Sequence, residues 1–460
     1  MKQFFLILSI LFCVQLSAEE TVIQGKFPGF DQKVLKVGYY DDYITNQKVF
    51  VAETQIKNGE YRLSLELKSS RQLILKVEDK ENTFFAEAGK VYNLNLSYDE
   101  ETNRGKAFDK SINLNFSFPQ PTEMNQLIKK FNQDYSAFFQ DNIKKFATNT
   151  AKEKVEQFVD EQSAVKAYQE NEFVKNYVTY VLANLEDINK KPKDKLFEKY
   201  LKGKEILYTN KEYMNFFKQL YQKDFERLTL SKWGAEILKA ISIDEDLNKT
   251  LKQIKESKGF ERDELAELYL IYGLFDTYYR NTVNPKSNLK MLKMLSENAS
   301  NAANKKIAAN AIEALKRLDK DQMAPAFELK NENGMLVKLS DFKGKPIYLN
   351  FWADWSVPSL RQMSVMQKLH EKYGEDIHFI SINLDENPDK MKEFIRLKNL
   401  NWTFLHYGND FELREKYNVR TVPTYFLIDA DGKFIQTNAP APTEVEQKLF
   451  EIGKEKEIRD

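Results

Sequence analysis

Between Ile347 and Tyr373 the sequence changes its period. Ile347-Tyr348-Leu349-Asn350-Phe351 is an apolar run of strand length, and Leu360, Met363, Met366, Leu369 and Tyr373 then recur at helical spacing. The change places Trp352-Ala353-Asp354-Trp355-Ser356-Val357-Pro358-Ser359 on a strand-to-helix turn. Backbone N–H groups and the positive end of the helix dipole converge on such a turn, which stabilises an anion and acidifies the first thiol of a Cys-x-x-Cys pair. The two positions such a pair would fill are serines, Ser356 and Ser359. Ile377-His378-Phe379-Ile380-Ser381-Ile382 is the next strand, and a right-handed crossover makes it parallel to the first.

Further segments stand around this turn in a fixed order. Ala324-Pro325-Ala326-Phe327-Glu328-Leu329 and Leu339-Ser340-Asp341-Phe342-Lys343-Gly344-Lys345 precede it, and Tyr417-Asn418-Val419-Arg420-Thr421-Val422-Pro423-Thr424-Tyr425-Phe426-Leu427-Ile428-Asp429 comes after it. Together they resemble the TlpA/ResA-like branch of the thioredoxin superfamily, extracytoplasmic thiol-disulfide oxidoreductases whose active-site run reads Trp-Ala-x-Trp-Cys-x-Pro-Cys. The resemblance runs from Ala324 to about Phe450. It implies an α/β thioredoxin-like domain with a cis peptide bond before Pro423. It also implies an apolar face of Trp352, Trp355, Val422 and Pro423 where an extended peptide docks by strand addition. The other reading of the tryptophans is that they are remnants packed in or over the fold.

The departures from the pattern decide the expected chemistry. Disulfide exchange needs a thiolate to attack and a second thiol to resolve the mixed disulfide. Ser356 and Ser359 offer two hydroxyls that stay protonated. The carboxylate that shuttles protons in such sites is missing too, because the candidate positions, Asn350 and Gln362, carry amides. A serine hydrolase is disfavoured, since an activated hydroxyl needs an adjacent base and His370 and His378 belong to no triad pattern.

At the start of the chain Lys2, the apolar run Phe4 to Leu16 and Ser17-Ala18 read as a secretory signal peptide over residues 1–18. The run of about thirteen residues is too short for a membrane span of about twenty. A lipid-modified Cys13 is the alternative, disfavoured by the bulk of Phe12. Cys13 is the chain's single cysteine, so a mature chain has no thiol for exchange, for a disulfide or for zinc. Removing Lys2 leaves 68 basic against 69 acidic residues, a balance that offers no field for nucleic acid. His370, His378 and His406 are too far apart in sequence for a compact metal motif, and no glycine loop cradles a phosphate, so no metal and no cofactor is expected.

Residues 19–118 alternate with period two. Tyr61, Leu63, Leu65 and Leu67, and again Tyr92, Leu94, Leu96 and Tyr98, each line one face of a strand, while Asn58-Gly59 is a two-residue hairpin signal. An antiparallel β-sandwich is predicted, similar to the β-domain at the front of secreted TlpA-like proteins, with Ala88-Gly89-Lys90 making a further turn. Pro119 and Pro121 close this domain, and Thr122 is positioned to cap the first helix beyond it. Residues 119–320 carry helical stripes such as Met124, Leu127, Ile128 and Phe131, then Val174, Tyr177, Val178 and Val181, which predict about six to nine helices. Asn189 to Lys195 reads as a solvated inter-helix loop. In residues 321–460, Asp385 to Leu397 reads as a helix, Asp429-Ala430-Asp431-Gly432 as a hairpin turn and Thr443 to Gly453 as a closing helix.

The predicted architecture is therefore multidomain: an N-terminal antiparallel β-sandwich, a central α-helical domain and a C-terminal α/β thioredoxin-like domain. The expected function is a secreted, periplasmic, redox-inactive binding or assembly protein of the cell envelope with a protein or peptide partner. The rival is an active oxidoreductase of the TlpA type. A third reading makes the helical domain the functional part and the thioredoxin-like domain its cap. Oligomeric state is left open.

Overall fold

The structure, a computed structural model, describes residues 19–78, 80–98, 112–116, 123–148, 150–280, 282–408, 410–419 and 421–457. The expected leader with Cys13, and Pro119, Pro121, Thr122 and Arg420, lie outside the described residues.

Eight strands come first among the described residues: β1 (Glu19–Lys26), β2 (Val34–Tyr40), β3 (Lys48–Gln55), β4 (Glu60–Leu67), β5 (Arg71–Val77), β6 (Lys80–Ala86), β7 (Val91–Ser97) and β8 (Asn113–Phe116). They form two sheets, ordered β4-β1-β7-β8 and β3-β2-β5-β6. Inward residues of both, Ile23, Leu63 and Leu94 from one and Leu35, Leu75 and Phe84 from the other, share one core. Lys57 and Glu60 bridge across Asn58-Gly59, where both residues hold the positive φ that the turn requires. The wholly antiparallel expectation is corrected at one place, because β1 pairs parallel with β7. Period-two alternation reports which face is buried and is silent on the direction of the neighbouring strand.

Twelve helices come next among the described residues: α1 (Met124–Ala147), α2 (Lys152–Ser163), α3 (Lys166–Gln169), α4 (Glu172–Ile188), α5 (Lys193–Tyr200), α6 (Lys211–Leu220), α7 (Asp224–Thr229), α8 (Gly234–Ser242), α9 (Leu247–Lys258), α10 (Asp263–Thr277), α11 (Pro285–Asn298) and α12 (Ala302–Lys316). The expected six to nine is too few because segments as short as α3 and α7 span too little of a helical period to show a stripe. Helix α10 is central, with every residue from Leu265 to Phe275 buried. The expected loop at Asn189 to Lys195 ends early, at the start of α5, and Lys191 and Lys193 pair with Glu186 and Asp187. Tyr43 and Ile44, between β2 and β3, enter the helical core, and Asn310 Nδ2 on α12 donates to Asp41 and Asp42 at 2.9 Å each. These contacts fasten the first sheets to the helices.

The last part is built on β9 (Glu328–Asn331), β10 (Leu336–Lys338), β11 (Ile347–Trp352), β12 (His378–Asn383), β13 (Thr403–His406), β14 (Thr424–Ile428) and β15 (Phe434–Thr437), in the order β10-β9-β13-β12-β11-β14-β15. β11 runs parallel to β12 and antiparallel to β14, and all six of its residues are buried. Leu349 and Phe351 pack into one core, Tyr348 and Trp352 into another, so both faces of the sheet are covered. The helices are α13 (Val357–Tyr373), α14 (Pro388–Lys398), α15 (Phe411–Lys416) and α16 (Glu446–Glu457). α14 begins at Pro388, capped by Asn387, and not at Asp385 as its acidic start suggested. The turn Asp429 to Gly432 joins β14 to β15, and Asn438 Nδ2 donates to the Tyr279 carbonyl at 2.9 Å, tying this part to the helices. Among the described residues no helix is long and apolar enough to cross a membrane.

Candidate functional site

The turn between β11 and α13 carries the serine pair. Ser356 holds extended backbone geometry one residue before the helix and is its N-cap, with Oγ accepting from the Ser359 N–H at 3.3 Å. The same hydroxyl donates to the Val422 carbonyl at 3.2 Å. Ser356 is thus buried, with its proton directed at a backbone oxygen and its lone pair at a helix N–H, and it faces no base. Ser359 is also buried, and its Oγ has no hydrogen-bond partner. The Val422-Pro423 peptide bond is cis, and the Ser356 contact holds that loop against the helix start.

The four residues expected to form one apolar face separate into two groups. Trp355 is 67% exposed and Val422 and Pro423 are half-buried. Trp352 is 0% exposed, packed against Phe394 and Phe404, and this corrects its assignment to a docking surface. As the last residue of a strand covered on both faces, its side chain points into a core. Val357, 56% exposed, lies two residues beyond Trp355 in the chain and was not singled out from the sequence.

Of the amides in the expected acid-base positions, Asn350 is buried and Gln362 is half-buried. Asn350 Oδ1 accepts from Ser381 Oγ at 2.6 Å, and that oxygen accepts from Trp402 Nε1 at 2.8 Å. Gln362 Oε1 is buried without a partner. The titratable group near the turn is one that sequence reasoning missed. Asp385, 2% exposed in the loop after β12, accepts the Asp354 N–H on both carboxyl oxygens at 3.1 Å and the Asn383 amide at 2.6 Å. Burial, then the adjoining Asp354 carboxylate, push it up to about 6. Its sequence context, Asn383-Leu384-Asp385-Glu386-Asn387-Pro388, has the polar character of a surface loop and carries no signal of burial.

The histidines divide as well. His406 Nδ1 accepts from the Gly408 N–H at 3.1 Å, so its proton sits on Nε2 and donates to the Asp385 carbonyl at 2.7 Å. Burial lowers its pKa and keeps the ring neutral. His370 and His378 line a cleft of about 380 Å³ with Trp402 and Phe379, around the start of β12, whereas the serine turn leaves the end of β11. Among the described residues no three His, Cys, Asp or Glu side chains are placed to hold a metal ion.

Known proteins resemble the last part of this chain. Residues 321–437 match the AhpC/TSA family. The thiol-disulfide oxidoreductase ResA of Bacillus thuringiensis subsp. konkukian is 34% identical over 122 residues, 26% of this chain and 70% of that protein. The thioredoxin-like protein YneN of Bacillus subtilis is 31% identical over 137 residues, 29% of this chain and 79% of YneN. A thiol-disulfide oxidoreductase structure from Bacteroides fragilis aligns at 26% identity and TM-score 0.26, over 28% of this chain and 98% of that one. The chain belongs, through its last part, to the AhpC/TSA thioredoxin-like family, in the branch that contains the ResA-like thiol-disulfide oxidoreductases.

Proposed function

We propose that this protein is a redox-inactive binding or assembly protein of the bacterial cell envelope, exported by the leader at residues 1–18 and composed of a β-sandwich, a helical domain and a thioredoxin-like domain. The observation that carries the reading is the Ser356 hydroxyl. It caps α13 and bridges to the Val422 carbonyl, a structural task in the place where the relatives' function requires a nucleophile. Ser359, Asn350 and Gln362 add no thiol, no base and no ionisable acid. What remains is a surface, with Trp355 and, two residues on, Val357 exposed on the turn that Ser356 ties to the cis-proline loop, which suits an extended peptide segment of a protein partner. The rival reading, thiol-disulfide oxidoreduction, is supported by the names of the relatives.

Crosslinking capture from the native envelope extract tests the proposal, with the mature protein beside a Trp355→Glu variant shown by circular dichroism to be folded. Loss of one captured partner in the variant alone supports the docking face. Equal capture by both removes function from this face and moves it to the sheets or helices that precede it.

A further inference from the structure

Asp354 and Asp385 are brought together by two neighbouring parallel strands. Asp354 follows β11 and Asp385 follows β12, the paired strand ends bring the two residues together, and the Asp354 side chain acts on the Asp385 carboxyl to raise its pKa. The Asp354 backbone N–H is shared between both oxygens of Asp385. Asp385 is anchored on three sides, by that N–H, by the Asn383 amide and, through its carbonyl, by His406. Asp354 is held less tightly: Oδ1 is buried without a partner, and Oδ2 is 3.4 Å from Lys390 of α14. Trp355 is the next residue.

We propose that Asp354 and Asp385 form a proton-sharing clasp that sets the posture of the Trp355 turn, so that acidity regulates the exposed face beside the cis-proline loop. The regulatory meaning rests on the docking function proposed above; the clasp itself does not. With one proton between them, the carboxyl O–H of Asp385 donates to the unpartnered oxygen of Asp354, and the turn is pinned to the β12 loop. With that proton gone, two carboxylates face each other in a buried site and repel. Asp385 is fixed, so Asp354 swings toward Lys390 and solvent and carries Trp355 with it.

The other charged groups around the pair fit this direction. Lys390 receives the displaced carboxylate, while Lys392 on the same helix acts on His406, and Arg414 on α15 and Glu386 beside Asp385 in the chain act on Tyr407. The His406 ring is neutral and unchanged, with both nitrogens engaged.

The test is acrylamide quenching of tryptophan fluorescence on the full mature chain across a pH range bracketing about 6, where Asp385 titrates. A Trp355→Phe variant identifies the part of the signal that belongs to Trp355. The expected result is a Trp355-dependent rise in quenching as the pair loses its proton. Asp385→Asn abolishes that transition, and Asp354→Asn abolishes it too, because without the second carboxylate nothing is repelled when Asp385 loses its proton. If Asp385→Asn does not fold, the loss of the transition in Asp354→Asn decides alone. A flat wild-type profile, or a transition unchanged in the aspartate variants, overturns the clasp. No partner enters this experiment, so a negative result leaves the docking reading standing, and failed capture with Trp355→Glu leaves the clasp standing.

Discussion

The side chain of Asn125 pairs with the backbone of Phe85 as another strand would, Oδ1 accepting its N–H at 2.9 Å and Nδ2 donating to its carbonyl at 2.8 Å. Phe85 lies on β6, at the edge of its sheet, and Asn125 lies in the first turn of α1. One amide therefore satisfies an edge that would otherwise offer itself to another chain, and the Phe85 ring packs on Phe173 and Tyr177 of α4. Replacing Asn125 by Ala should lower stability by about 1–3 kcal/mol, the loss attending an unpaired buried group. Urea denaturation measures it, and an unchanged midpoint would mean that water replaces the amide at no cost.

Ser356→Ala removes a helix cap and the bridge to Val422 together. A loss of about 1 kcal/mol is expected for the cap alone, read as a lower Tm, with no change in any redox assay. The paired Ser356→Cys, Ser359→Cys variant provides the converse. A thiol at the α13 N-terminus is acidified by the helix, so the variant should gain dithiothreitol-driven disulfide reduction while the natural chain stays at the uncatalysed rate. Turnover by the natural chain above that background would defeat the redox-inactive reading.

Stability should respond to pH through Asp385. Its folded pKa, about 6, lies above the value near 3.9 for an unperturbed aspartate, so between those values the folded state binds more protons than the unfolded state. Its contribution is fully present below about pH 4 and is lost as pH rises to about 6. The histidines act oppositely, since pKa values lowered by desolvation make the folded state resist protonation as pH falls. The diagnostic quantity is therefore the difference between wild type and Asp385→Asn in denaturant melts across that window. A constant difference would show that Asp385 has an ordinary pKa.

Gly273 sits in the buried stretch of α10, where an added Cβ would come within 2.4 Å of the Phe225 ring. Gly273→Ala gains helix propensity but forces that ring to move, and overpacking of this kind typically costs about 1–3 kcal/mol. A net fall in the urea midpoint is expected. A rise would mean that α7, which carries Phe225, yields easily.

The turn between β11 and α13 was the most legible part of the sequence because strand and helix periods meet there across one short turn. The cis bond before Pro423 came from the family resemblance, not from any periodicity. The burial of Trp352 was open to view in the run Ile347 to Trp352, apolar on both faces with Asn350 the one polar interruption, since a strand apolar on both faces is covered on both. The role of Asp385 was not legible, because it arises from two loops that meet only once β11 and β12 are side by side. The same holds for β1 and β7: local sequence states what each buries, and only the assembled sheet states which way the neighbour runs.

That pairing also dictates an order of events. β1 lies inside its sheet, flanked by β4, which begins at Glu60, and by β7, which begins at Val91. The first of the described strands is thus among the last to be satisfied on both edges. Its Val22, Ile23 and Gln24 stay unpaired on the β7 side until the chain through Asn93 is in place. Such distant pairings close slowly, and until they close the segment presents an open strand edge to other chains.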